Sequence, residues 1–174
     1  MHYTHASRTI YAGEEITITY VDPLQTRLKR RAALQRSWGF ECSCNLCLQE
    51  GEFARESNRR ITHIKKLTEA FEETDTTERQ GGKRKMKGTP EMAELLISLY
   101  EQERLYASVA EAYRLAALSY SAVGNEWVAV KWAMKAVETG LIHDGPRGGE
   151  VLDMKRLLHD PRKHWSWEVN INGD

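Results

Sequence analysis

The stretch SWGFECSCNLC, residues 37–47, holds all three cysteines of a 174-residue chain. Cys42, Cys44 and Cys47 form C-x-C-x-x-C. Free cysteine is among the most buried residue types, so packing is the plain account of any single one. No regular strand or helix can point positions 42, 44 and 47 into one core, however. A compact loop that gathers three sulfurs around one ion is the simpler reading, and a structural zinc site suits thiolates best. Redox and copper chemistry share the pattern. A closed zinc site takes four ligands, and the chain has no fourth cysteine. His2 or His5 is a candidate, and so is a ligand outside these residues.

Composition sets the frame around that loop. Hydrophobic residues make up 41% and charged residues 29%, the balance of a soluble globular protein. Lys plus Arg equals Asp plus Glu at 25 each, so net charge points to neither nucleic acid nor membrane. No apolar run approaches the roughly 20 residues that span a bilayer. The first ten residues, MHYTHASRTI, lack a secretory apolar stretch, and an odd cysteine count argues against a disulfide framework. A reducing compartment, nucleus or cytoplasm, is expected.

Upstream of the loop, RTIYAGEEITITYV alternates apolar and polar residues and predicts strand, with Gly13 marking a turn. DPLQ then predicts a helix start: Asp22 as N-cap, Pro23 at the first helical position and Gln25 in the capping-box position, running to about Ser37. Downstream, Phe53, Ile61, Ile64, Leu67 and Phe71 predict an amphipathic helix. Residues 73–90 are poor in large apolar residues and read as a flexible linker. From Glu91 the pattern is helical. Gly124 and Asn125 divide it into a helical hairpin, a short helix precedes Pro161, and the two tryptophans beyond it should dock on the helices.

Three features converge on one family. AGEEITITY (residues 12–20), the basic helix after it, and WGFECSCNLC (residues 38–47) resemble the end of a SET domain and its post-SET zinc loop. Their order suits the SET-and-MYND-like branch in its fungal form, as does DPRKHWSW near the end. Tyr113, Ala117, Tyr120, Gly124, Ala129 and Ala136 fall at tetratricopeptide spacing, and that branch carries such an extension. The resemblance implies an α+β but predominantly α fold. A short β-hairpin remnant of the SET domain (1–40) would precede a cysteine loop (41–50), a connecting helix (51–72) and the linker (73–90). A tetratricopeptide-like bundle (91–160) and a tail (161–174) would follow.

The family transfers a methyl group from S-adenosylmethionine to a protein lysine, in a histone or another protein. By resemblance Tyr20 is the tyrosine at the methyl-transfer centre, and Phe40 lies against the cofactor adenine. Cys42, Cys44 and Cys47 bind zinc. The family also uses an earlier glycine-rich segment and an asparagine–histidine motif, with a fourth zinc cysteine beside it, and these 174 residues contain neither. The chain alone is therefore expected to be inactive, as a truncated product, a misplaced start or a fragment. The rival expectation is a non-catalytic helical module that binds a peptide in the groove of residues 91–160. Nucleic-acid binding by Arg27 to Arg36 ranks well below both.

Overall fold

The computed structural model describes residues 5–72, 86 and 88–171. Seven α-helices and one 3-10 turn appear among them, and no strand. The mainly helical expectation holds, whereas the β-hairpin is not seen. A turn does form at Gly13, with φ of 83° and the Glu14 amide donating to Tyr11 O. The residues after it form no regular element, leaving Ile16 77% and Ile18 64% exposed. Alternation of this kind specifies a strand only where a second strand supplies ladder partners, and an isolated pair is marginal in water.

The chain divides into two compact units, residues 10–66 and the residues from Leu67 onward, the latter grouped with the short segment ending at Thr9. The first unit contains α1 (Arg27–Trp38), α2 (Asn45–Leu48) and most of α3 (Gly51–Glu72). α1 begins later than DPLQ predicts. Asp22 Oδ1 accepts from the Leu24 amide at 2.9 Å and its carbonyl from Gln25, so this side chain closes a turn instead of a helix end. The helix starts after Thr26, whose side chain makes no cap, and Asn58 of α3 accepts from the Arg27 amide at 3.0 Å. At the other end Gly39 adopts φ of 71° and returns its amide to Gln35 O, a left-handed stop that glycine tolerates without strain.

The second unit is a stack of helices. α4 (Pro90–Gln102) begins at Thr89, whose hydroxyl accepts from the Met92 amide, and packs on α5 (Val109–Ala122). α5 and α6 (Glu126–His143) form the predicted hairpin, broken by Gly124 at φ of 72° and capped by Asn125, which accepts from the Val128 amide. α7 (Gly149–His159) closes it. Ala117, Leu118, Ala129, Ala133, Ala136, Met154 and Leu157 make one buried cluster, with Tyr113 stacked on Trp132 at 5.6 Å beside it. Small residues let the axes approach. A methyl at Gly140 would come within 2.8 Å of Val151 Cγ2.

Most of the 73–90 linker lies outside the described residues. Met86 exchanges two hydrogen bonds with the Asn170 side chain, 2.9 and 3.0 Å, and Gly88 lies so close to the Phe71 ring that a methyl there would overlap it. The tail also completes the end of α5: the Glu168 amide donates to Ser121 O, which accepts from Gly124 as well, and the Asn170 amide donates to Ala122 O.

Behind that contact sits a buried polar chain. Ser121 Oγ accepts from Ser166 Oγ at 2.9 Å, and Ser166 Oγ lies 2.7 Å from His164 Nδ1. His164 Nε2 is 3.4 Å from Asp153 Oδ1, a long contact that carries the chain on to α7. Trp165 Nε1 donates to the same carboxylate at 3.2 Å. The facing His164 holds Asp153 below the usual carboxylate range, against the opposing effect of burial, with Trp165 and Arg114 assisting. A depressed carboxylate contributes stability above its unfolded-state pKa and loses it as pH falls through the folded-state value. Asp153→Asn should therefore cost about 1–3 kcal/mol at neutral pH. The gap from wild type should narrow in chemical denaturation as pH falls below the ordinary carboxylate range, because the native carboxylate then takes up its proton as well.

Candidate metal centre

α1 ends at Trp38 with Gly39 as its cap, and beyond the turn Glu41 lies 3.5 Å from Arg31 of the helix. The chain then enters the cysteine loop. Cys44 is the N-cap of α2, and its carbonyl accepts from the amides of Cys47 at 2.9 Å and Leu48 at 3.0 Å. That one helical turn folds Cys47 back beside Cys44. The three Sγ atoms consequently lie within 4.8 Å of one another, and the group contains no histidine or carboxylate. His5 is described and exposed, and His2 lies outside the described residues.

Arg27 fixes the loop from α1. Its Nε donates to Cys47 O at 2.8 Å, and its guanidinium lies 3.7 Å from Glu50. Arg30, also buried, donates to Gln25 O at 2.6 Å. Two of the arginines in the basic run thus hold backbone carbonyls.

The three thiols differ. Cys47 is buried, Cys42 half-buried and Cys44 exposed. Burial, reinforced by the neighbouring Cys44 and Cys42 sulfurs, pushes the Cys47 thiol up to about 11. Burial acts upward on Cys44 too, but the Cys47 amide and the Cys42 and Cys47 side chains outweigh it and hold Cys44 below the ordinary thiol range. Three thiolates this close repel one another unless a cation sits among them, and zinc accepts such a donor set at Zn–S distances of about 2.3 Å. The residues fit the ion.

Directly before the loop, three aromatic rings meet. Tyr20 stands edge-on to Trp38 at 5.2 Å and to Phe40 at 5.5 Å, both near perpendicular. Tyr20 and Phe40, the two residues singled out in the sequence, are therefore neighbours. Trp38 completes the cluster and was not foreseen, and neither was Arg27 as the support of Cys47. The signal for Trp38 was its place beside the helix-ending glycine, in W-G-F. All three rings stay more than a third exposed.

No family model matches the chain. Curated proteins do. Histone-lysine N-methyltransferase set5 of Schizosaccharomyces pombe is 24% identical over 163 residues, 92% of this chain and 49% of that protein. Histone-lysine N-methyltransferase SET5 of Meyerozyma guilliermondii is 47% identical over 55 residues, 32% of this chain and 11% of that protein. Its namesake in Candida albicans is 35% identical over 72 residues, 40% of this chain and 15% of that protein. The chain thus spans about half, or less, of the length of these relatives. No helix among the described residues is long and apolar enough to cross a membrane.

Titration with cobalt as a spectroscopic stand-in should show one metal per chain, with a thiolate-to-metal charge-transfer band. Cys47→Ser should weaken uptake by more than about a hundredfold. Because Cys47 holds its proton at neutral pH, metal must displace it, so affinity should rise as pH is raised. Uptake unchanged in Cys47→Ser would remove this thiol from the site.

Proposed function

We propose that residues 10–47 are the closing part of a SET-type methyltransferase domain and its zinc loop, of the fungal SET-and-MYND-like kind. In this reading the helical unit is its tetratricopeptide-like extension. The observation that carries it is Tyr20 in edge-on contact with both Trp38 and Phe40, followed at once by three converging cysteine sulfurs. The similarity to proteins named histone-lysine methyltransferases supports it. The substrate is then a lysine side chain of a histone or another protein, and the place of action the nucleus, the cytoplasm or both.

S-adenosylmethionine supplies the methyl group in this chemistry. The residues of this chain position and shelter. The Tyr20 phenol orients a lysine amine through its hydroxyl while Trp38 and Phe40 buttress the ring edge-on, a contribution of placement and not of strong basicity. Phe40 offers a flat apolar surface to the adenine. The zinc loop, tied to α1 by Arg27, holds Phe40 in place, so metal and catalysis are coupled through folding. These residues furnish one wall of a site. The glycine-rich and asparagine–histidine segments that complete it in the family are not among the 174.

Two outcomes are expected. Calorimetric titration of the zinc-loaded chain with S-adenosylhomocysteine should give no saturable heat. Grafted behind the preceding part of the Schizosaccharomyces pombe relative, residues 12–47 should support lysine methylation, and Tyr20→Phe should lower the rate by about a hundredfold without loss of cofactor binding. A folded, cofactor-binding graft that never methylates, or a fully active Tyr20→Phe, contradicts the reading.

A further inference from the structure

α6 is packed the wrong way round for the surface of a monomer. It turns its smallest residues inward: Ala129, Ala133, Ala136 and Gly140 are its buried positions. Three of its large apolar residues face out, while Trp132 stacks on Tyr113 beside the core. Trp127 is 88% exposed, Met134 51% and Leu141 40%. A surface helix ordinarily buries its apolar stripe and shows its polar one.

The outward residues are spaced seven apart, and Val130 and Val137, both half-buried, fall between them, Val137 at the inner margin where it also packs against the helical unit's own buried cluster. The run 127, 130, 134, 137, 141 alternates steps of three and four, the seam of a two-stranded coiled coil. At 1.5 Å per residue it is roughly 21 Å long, enough for a pair of helices to bury a continuous strip. Lys131 and Glu138 follow the two valines and line one edge of the seam. The other edge is occupied by the helix's own contacts through Ala133 and Gly140.

That asymmetry selects the partner and its direction. Only antiparallel pairing brings the Lys131–Glu138 edges of two identical helices together. With Met134 near the dyad, Lys131 of each copy then comes opposite Glu138 of the other, twice over. Trp127 at one end meets Leu141 at the other, a large ring against a smaller side chain. Lys135, 3.4 Å from Glu138 in the same helix, adds positive charge on this edge.

We propose that the α6 face is a self-association surface, on which a second copy of this chain docks through an antiparallel α6–α6 pair. The contact is independent of the methyltransferase reading, since it uses none of residues 10–66.

Sedimentation velocity of the full zinc-loaded chain, from low-micromolar to near-millimolar concentration, tests it. A monomer–dimer equilibrium is expected. Lys131→Glu alone and Glu138→Lys alone should each weaken dimerisation by about tenfold, because each sets like charges against each other at two places. The double reversal should restore it, and Met134→Glu should abolish it. All three substituted positions are exposed, and helical content by circular dichroism checks that each of the four variants folds. A chain that stays monomeric throughout overturns the proposal. So does a dimer that the single reversals and Met134→Glu leave intact, since association would then run through another exposed face, such as that around Ile16 and Trp38.

Discussion

Three sulfur atoms within 4.8 Å of one another are the constraint on which the organisation of residues 10–66 rests. Neutral thiols could sit so close at little cost, but a set of thiolates could not without a cation between them. The structure shows that tension in its thiols: Cys47 is pushed up to about 11 by burial and its sulfur neighbours, while Cys44 is held down by the Cys47 amide and the other thiols. Cys47 keeps its proton until a metal displaces it into water, and Cys44 is the thiol readier to offer its charge. Arg27 holds the backbone of that arrangement and joins α1, the loop and, through its own amide, α3. With the loop fixed, Gly39 and Phe40 follow, and with them the aromatic group around Tyr20.

The helical unit solves a different problem. Its helices approach closely because alanine and glycine line their contacts, with Leu118, Met154 and Leu157 filling the space between. The tail compensates at the open end of α5. It supplies amides to Ser121 and Ala122, and it carries the Ser166, His164 and Trp165 groups that reach Asp153 on α7. A buried hydroxyl–imidazole–carboxylate chain of this kind specifies one docking position, because each polar atom it leaves unmatched is costly.

What could be read in the sequence was local. The cysteine spacing, the glycine–asparagine break in the hairpin and the proline after α7 act over a few residues, and each appears where expected. The misreadings came from groups whose partner lies elsewhere. DPLQ has the letters of a helix start, yet the Asp22 side chain found the Leu24 amide first, and the helix waited for Asn58, a residue 31 positions on. The alternation in residues 10–20 states what a strand would look like but not whether a neighbouring strand exists. Periodicity in α6 was plain, but its direction was not. Alanines and bulky residues both count as apolar, so only packing shows which of them face inward. Within the candidate site, Tyr20 and Phe40 came from family likeness, whereas Trp38 and Arg27 needed the fold.

The central claim is that Cys42, Cys44 and Cys47 act together on one ion. X-ray absorption at the zinc edge of the metal-loaded chain tests it most directly. Three sulfur neighbours at about 2.3 Å, whatever completes the shell, are what the account predicts. A bound zinc surrounded by nitrogen and oxygen, with one sulfur or none, would contradict it. The proposed lysine chemistry, which builds on that loop, would then lose its support.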